Sequence, residues 1–306
     1  MNNNFENILY LFLIIMVGFS ARKLKLLGED ARAVLSLYTI NIALPMMILT
    51  NLRFTFETRL LQNAITMLVI GGVVFAVSII LSELSAKWWR LPDEERASYH
   101  FGMVLSNTGF LGLPILSVTY GQEAVFYGTI IHFFFLVVNW TYGVYVYTRD
   151  EATHVNWKAM INPSTIALVV GFTLFFFSVP LPSVMERMFA ALGGTATPLT
   201  MFVIGIMMAE IHLKELVTSI KPFVLAIYRS VLFPLALFFI LKSLGFSGLI
   251  LYVPVVLFGM PLAANTVILA QVYGKDYKTA TKLVLISTLL ALVTIPLLIE
   301  FIALGG

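Results

Sequence analysis

Two short stretches of this sequence place amide and hydroxyl side chains beside glycine and proline, inside otherwise apolar segments. They are residues 106–114, SNTGFLGLP, and residues 259–266, GMPLAANT. Proline removes a backbone donor and clashes with the preceding turn, and glycine permits non-helical torsions, so each stretch predicts a broken helix. The candidate substrate-binding residues in the two stretches are Asn107, Thr108, Gly109, Pro114, Pro261, Asn265 and Thr266.

The chemistry that such breaks favour is the binding of an anion. Half-helix N-termini that meet at a break present free amides and the positive end of a helix dipole, which suit a carboxylate above all. Asn107, Thr108 and Asn265 can add hydrogen bonds from their side chains. The structural alternative is that both breaks are packing kinks, because glycine and proline are common in membrane helices.

The composition places these stretches in a membrane protein. The 306 residues are 59% hydrophobic and 11% charged, with a mean hydropathy of +0.94. A soluble domain has roughly 25% charged residues, and a lipid-facing surface accounts for the shortfall. The N-terminus lacks the basic stretch and cleavage site of a signal peptide, so we interpret it as the start of the first span. The net charge of +3 is too small to indicate a nucleic-acid partner.

Ten hydrophobic segments can be laid out, each near the ~20 residues that a bilayer requires. We therefore predict an all-α integral membrane protein with ten transmembrane helices. The spans are Phe5–Ala21, Ala31–Asn51, Leu61–Ser85, Ala97–Tyr120, Ala124–Tyr147, Ile161–Val179, Met185–Ala209, Ile220–Leu244, Gly248–Val272 and Lys278–Ile302.

The two halves of the chain resemble each other. A shift of 153 residues places Val17-Gly18 on Val170-Gly171, and it places Gly112 on Asn265 in the second break. We predict two five-helix repeats, residues 1–153 and 154–306, with broken helices in spans four and nine. An internal repeat that contains broken helices is typical of secondary transporters, whose site lies near the membrane midplane.

The distribution of positive charge predicts the orientation. Of the 19 Lys and Arg residues, 14 flank the loops after the odd-numbered spans, 4 lie on the opposite side, and Arg229 lies within span eight. Because basic residues stay in the cytoplasm, both termini should be outside and the Thr148–Met160 loop inside. Five spans per repeat then make the second repeat inverted. We expect a multi-pass protein of the plasma (inner) membrane.

Two further polar residues lie within spans. Arg229 falls near the middle of span eight, where an ionisable group predicts function by default: it could attract or gate the anion. The alternatives are that it caps a half-helix C-terminus or extends toward the interface. His132 in span five shares a helix face with Asn139. It could relay a proton, although a lone buried histidine is more often a hydrogen-bonded packing residue.

The sequence does not indicate an enzyme, a metal site or a cofactor. It has no Cys, no His-Glu-x-x-His pattern and no paired aspartates within the spans, and its four histidines are scattered over different segments. No span carries a carboxylate near its centre, which disfavours a sodium or proton site built on a buried Asp or Glu. A sodium site of carbonyls, Asn and Thr stays open.

The stretch 107–114, NTGFLGLP, resembles the fourth-span motif of the auxin efflux carrier family. The stretch 41–45, NIALP, and Pro261, Asn265 and Tyr273-Gly274 are similar to other landmarks of that family, and the resemblance covers the whole chain. It implies passage or export of small organic anions, auxin-like acids or dicarboxylates. This chain lacks the large cytoplasmic loop of the long plant members and so resembles bacterial or archaeal ones.

The resemblance also implies a mechanism of the elevator type. Spans three to five and eight to ten would form a mobile transport domain, held against a scaffold of spans one, two, six and seven that forms a homodimer through spans two and seven. The first alternative is a sodium-coupled organic anion symporter of the bile-acid carrier type, which shares this general architecture. An anion channel is the third option, because broken helices also line pores.

Overall fold

Long apolar runs with few charges must form helices in a membrane, because each helix satisfies its own backbone hydrogen bonds. The computed structural model describes residues 3–28, 30–52, 58–89, 91–149, 161–177, 179–210 and 219–305, and these residues form helices and no strand. Six helical segments among them are long and apolar enough to cross a bilayer, and two shorter helices are also apolar. The predicted all-α membrane class is therefore confirmed, and the ten-span inverted repeat stays a prediction.

We number the α-helices in chain order and name the π-helical turns by their residues. The α-helices are α1 Asn3–Lys23, α2 Ala31–Tyr38, α3 Leu44–Asn51, α4 Thr58–Trp89, α5 Asp93–Val104, α6 Leu113–Val138, α7 Val144–Thr148, α8 Pro163–Phe176, α9 Ser183–Gly193, α10 Ala196–Glu210, α11 Lys221–Ile227, α12 Phe233–Ser243, α13 Gly248–Phe258, α14 Asn265–Val272 and α15 Tyr277–Gly305. The π-helical turns are Thr39–Ala43, Thr108–Gly112, Asn139–Gly143 and Tyr228–Leu232.

The chain divides into two compact units. The first comprises Met1–Ile65, Gly109–Thr129 and Ile161–Ile211, and the second comprises Thr66–Thr108, Ile130–Met160 and His212–Gly306. Each unit draws on both halves of the chain. The predicted junction of the repeats at residues 153 and 154 lies outside the described residues, so the assignment of repeats, scaffold and transport domain stays a prediction.

In the first unit, helices α1 and α10 pack closely through glycine. A Cβ atom added at Gly18 would overlap the carbonyl oxygen of Phe202, and one added at Gly205 would overlap that of Ile15. Small residues let the backbones of membrane helices approach in this way, so that van der Waals packing holds the pair together.

The second unit contains the residues that pair at the two breaks, 105–107 and 261–263, and a buried apolar cluster that includes Leu262. Tyr99 and Met103 of α5 pack with Leu225 of α11, Leu262 between α13 and α14, and Leu283 of α15. The five side chains are less than a tenth exposed. This cluster packs the C-terminal half of α5 against Leu262 in the segment between α13 and α14, and the candidate site is built on those segments.

Candidate functional site

The breaks fall where the sequence predicts them. Helix α5 ends at Val104, and Leu105 is extended, with φ −108° and ψ 109°. Helix α13 ends at Phe258, and α14 begins at Asn265. Residues 106–107 and 261–263 therefore lie outside the helices, and their backbone groups must find partners elsewhere.

Main-chain groups at the two breaks form hydrogen bonds with each other. The amide of Asn107 donates to the carbonyl of Pro261 at 2.8 Å, and the amide of Ala263 donates to the carbonyl of Leu105 at 3.1 Å. Between these bonds, Ser106 and Leu262 form an isolated antiparallel bridge. The broken helices predicted in spans four and nine thus contact each other at their breaks.

Two serine hydroxyls complete this pairing. Ser106 Oγ donates to the carbonyl of Leu257 at 2.9 Å, near the C-terminal end of α13. The amide of Leu262 donates to Ser287 Oγ of α15 at 3.1 Å. Both serines are completely buried. Because backbone groups freed inside a membrane are costly unless paired, these bonds stabilise the non-helical geometry that the candidate site needs.

At the start of α14, Asn265 is paired with an asparagine from a distant segment. Asn265 Nδ2 donates to Asn139 Oδ1 at 2.9 Å. Asn139 is fully buried, and its own Nδ2 has no acceptor among the described residues. Sequence reasoning placed Asn139 only on the same face as His132. Its role as the partner of Asn265 was missed, and no feature of the sequence other than its depth in span five signals it.

Thr108 and His132 form a buried pair. Thr108 Oγ1 lies 2.8 Å from His132 Nδ1, and the imidazole stacks on Phe135 with 5.1 Å between ring centroids. Thr108 is 0% exposed and His132 is 5% exposed. The histidine is therefore hydrogen-bonded and packed, as the structural interpretation predicts, and its role as a proton relay stays a prediction.

Thr266 is buried, and its hydroxyl is used locally. Thr266 Oγ1 donates to the carbonyl of Ala263 at 2.6 Å, and its own carbonyl accepts a hydrogen bond from Tyr147 Oη at 3.0 Å. The side chain therefore stabilises the first turn of α14. Substrate contact by Thr266 and Pro261 stays a prediction.

Gly109 and Pro114 belong to the first unit, whereas the other predicted binding residues belong to the second. Gly109 lies in the π-helical turn Thr108–Gly112, and Pro114 lies in the first turn of α6. Both residues are buried. Both residues lie in the stretch where the sequence predicts the break of span four, and a role in substrate binding stays a prediction.

Arg229, in the π-helical turn Tyr228–Leu232, lies next to the C-terminal end of α5. Its Nη2 donates to the carbonyl of Val104, the last residue of α5, at 3.3 Å. The guanidinium carbon lies 5.0 Å from the ring centroid of Phe233 and 5.5 Å from that of Phe258, the last residue of α13. The structure thus shows the capping geometry that was one of the alternatives for Arg229, since a cation at a helix C-terminus is favourable.

Part of the Arg229 guanidinium remains unpaired. The residue is 0% exposed, and Nε and Nη1 have no hydrogen-bond partner among the described residues. A buried cation without a carboxylate partner is costly, and cation–π contacts compensate only part of that cost. Arg229 therefore leaves positive potential in the second unit, at the C-terminal ends of the two half-helices, and attraction of an anion stays a prediction.

Comparison with known proteins agrees with this architecture. The sequence model of a family described as "Membrane transport protein" matches the chain twice, over residues 4–154 and 145–299. The two matches correspond to the two halves that resemble each other in the sequence.

Three relatives match along nearly their full length. An "Uncharacterized transporter" of Methanothermobacter thermautotrophicus is 26% identical over 302 residues, which are 95% of this chain and 96% of that protein. "Uncharacterized transporter MJ1031" of Methanocaldococcus jannaschii is 25% identical over 300 residues, with 95% and 96% covered. A "Putative malonate transporter" of Rhizobium meliloti is 22% identical over 315 residues, with 98% and 96% covered. The chain belongs to the membrane transport protein family, the family of the auxin efflux carriers that its motifs resemble.

Proposed function

We propose that this protein carries small organic carboxylates across the membrane and that it holds them where the two broken helices meet. The observation that carries the proposal is the main-chain pairing of Leu105 and Asn107 with Ala263 and Pro261. That pairing holds Asn107 and Asn265 near the point where the two breaks meet. Unlike two independent packing kinks, it builds one polar position from two distant segments.

The polar groups at this position are neutral hydrogen-bond donors. Asn107 and Asn265 are partly exposed. The buried amide nitrogen of Asn139 has no acceptor among the described residues. The N-terminus of α14 adds positive potential, worth ~0.3–2 kcal/mol to an anion. Hydrogen bonds from amides to a charged group add ~1.5–3 kcal/mol each. Together these groups support binding of a carboxylate without a permanent ion pair.

The relative from Rhizobium meliloti supports dicarboxylates as the substrate class, since its name refers to malonate. Malonate has two carboxylates on one carbon, and it is small enough to be bound by a few convergent amides. We therefore propose malonate and similar small carboxylates as the first compounds to test.

We propose that transport requires no sodium. Movement of a net negative charge out of a cell that is negative inside is electrically downhill, so export needs no partner ion. The competing function is sodium-coupled symport of the bile-acid carrier type, in which carbonyls, Asn and Thr at the breaks would bind sodium. The two functions differ in whether sodium is needed for substrate to bind and move.

The remaining parts of the proposal concern the assembly. We place both termini on the extracytoplasmic side, spans three to five and eight to ten in a moving transport domain, and the dimer interface on spans two and seven. The charge bias supports the side of the termini, and the repeated match supports two similar halves. The division into transport domain, scaffold and dimer interface rests on the resemblance to the auxin efflux carriers. Alternating access would proceed by movement of the transport domain against the scaffold.

The direct test is a thermal-shift screen of the purified protein with small carboxylates, with and without sodium. A ligand that binds the folded state raises the unfolding temperature. We expect stabilisation by malonate in sodium-free buffer, and loss of about tenfold in apparent affinity in both Asn107→Ala and Asn265→Ala, because 1.4 kcal/mol is a factor of ten. Stabilisation by malonate that requires sodium would favour the bile-acid carrier type.

A further inference from the structure

A second cluster of ionisable groups lies in the second unit, away from the helix breaks. His100 of α5 is 2% exposed, and its Nδ1 lies 2.8 Å from Ser82 Oγ of α4. Tyr142 Oη donates to Glu83 Oε1 at 2.7 Å and lies 3.4 Å from Ser82 Oγ. A connected set of polar atoms therefore leads from a carboxylate that is 42% exposed to a buried imidazole.

The serine can serve both protonation states of the imidazole. In the neutral tautomer with its proton on Nε2, a buried atom that has no partner among the described residues, Nδ1 accepts a hydrogen bond from the Ser82 hydroxyl. When Nδ1 carries a proton it must donate instead, and the Ser82 hydroxyl needs another acceptor. The carbonyl of His100 lies 3.3 Å from Ser82 Oγ and provides that acceptor. A proton can therefore bind at Nδ1 with a rotation of one hydroxyl group and no loss of hydrogen bonds.

The charged groups around His100 have opposing effects on protonation of its imidazole. Glu83 Oε1 lies 3.7 Å from His100 Nδ1, and Glu83 Oε2 lies 3.7 Å from Arg149 Nη1. Burial of the ring has the largest effect and opposes the imidazolium, Glu83 favours it, and Arg149 and Arg96 oppose it. Among the described residues, α11, α14 and α15 also pack on α5 and add no charge that acts on the ring.

We propose that Ser82, Glu83, His100, Tyr142 and Arg149 form a proton-binding site, and that a proton bound at His100 promotes binding of the carboxylate at the helix breaks. The proton adds to the Nδ1 lone pair, which gives an imidazolium held by Ser82 and Glu83. The cluster of Glu83, Arg149 and His100 then changes from net neutral to a charge of +1. The site lies on the side that the charge bias predicts to be cytoplasmic.

The effect on binding follows from distance. His100 lies four residues before Val104, ~6 Å along the helix, and Asn107 lies three residues farther along an extended segment, up to ~10 Å. A charge ~16 Å from a bound carboxylate changes its affinity by about sixfold at an effective dielectric constant of ~20. Because coupling is reciprocal, the carboxylate raises the proton affinity of His100 by the same factor. This step depends on the proposed function.

The proton site can be tested without transport. The measurement is the pH titration of the His100 ring resonances by NMR in the full-length protein in detergent micelles, assigned by their loss in His100→Gln. We expect Arg149→Gln to move the His100 midpoint to higher pH and Glu83→Gln to move it to lower pH, each by about one unit. Lys278→Gln, which removes a cation that does not act on the ring, should leave the midpoint unchanged.

Three outcomes distinguish this inference from the proposed function. If Arg149→Gln and Glu83→Gln fail to shift the His100 midpoint in opposite directions, the proton site is wrong whatever the protein transports. If the shifts occur and malonate raises the wild-type midpoint by about one pH unit, both the site and its coupling hold. If malonate stabilises the protein against unfolding but leaves the midpoint unchanged, the coupling is wrong although carboxylate binding stands.

Discussion

Asn265 at the start of α14 donates its side-chain amide to Asn139 in the π-helical turn after α6, across 126 positions of the sequence and at 2.9 Å. The bond uses one acceptor of Asn139 and leaves that residue's amide nitrogen buried without a partner among the described residues. Buried donors are normally satisfied, so an unpaired amide beside a helix N-terminus is available for a ligand.

Substitution of Asn139 tests whether this amide takes part in binding. Asn139→Ala removes the acceptor of Asn265 and should weaken malonate binding by about tenfold. Asn139→Asp keeps an acceptor but replaces the free amide with an anion, so it should weaken binding more than Asn139→Ala. The readout is the malonate dependence of the unfolding temperature. Asn63→Ala is the matched control, because Asn63 bonds Tyr127 in the other unit. Equal affinities for the wild type and Asn139→Asp would exclude this role.

Substitutions of Arg229 distinguish the effect of its charge on transport from its effect on folding. Arg229→Ala removes the cap of α5 and the buried positive charge, and we expect transport to be lost while folded protein remains. Arg229→Lys keeps the charge without the planar stacking on Phe233 and Phe258 and should retain part of the activity. The comparison is the initial rate of uptake into liposomes, with Arg187→Ala at an exposed position as the control. Normal transport by Arg229→Ala would show that the charge is dispensable.

The packing of α1 on α10 makes a prediction about stability. A Cβ atom at Gly205 would overlap the Ile15 carbonyl oxygen and lie 2.7 Å from the Phe19 nitrogen. Backbone atoms cannot yield as side chains do, so Gly205→Ala should cost ~1–3 kcal/mol and lower the unfolding temperature by several degrees. Gly28→Ala is the control, because no described atom lies within 4 Å of a Cβ there. Unfolding temperatures that are equal in the two variants would contradict the close approach of these helices.

The charge bias makes a prediction about topology that uses the absence of cysteine. Single cysteines at Asn2 and at Thr153, two positions outside the described residues, should be labelled from opposite sides by an impermeant thiol reagent. The bias predicts labelling of Asn2→Cys in intact cells and of Thr153→Cys only after the membrane is opened. The reverse pattern would invert the whole assignment of sides, including the side assigned to the His100 cluster.

The helix breaks could be predicted from the local sequence. Their hydrogen-bond partners could not, because those partners are distant in the chain. Glycine and proline signal where a helix cannot continue, and α5 and α13 indeed end before Ser106 and Pro261. Which backbone groups pair across the breaks depends on tertiary packing. The bond of Asn139 to Asn265 and the contact of Arg229 with Val104 arise in the same way, so the sequence could only suggest that these residues are polar and deep.

Solid-supported-membrane recording on liposomes that contain the purified protein tests whether it carries a carboxylate through the helix breaks. Carboxylate transport of this kind predicts a current on addition of malonate with no sodium and no pH gradient present. It also predicts half-saturating concentrations about tenfold higher in Asn107→Ala and Asn265→Ala than in the wild type. A current that strictly requires sodium would contradict sodium-free transport and favour a symporter of the bile-acid carrier type. Unchanged half-saturation in both variants would place the substrate away from the helix breaks.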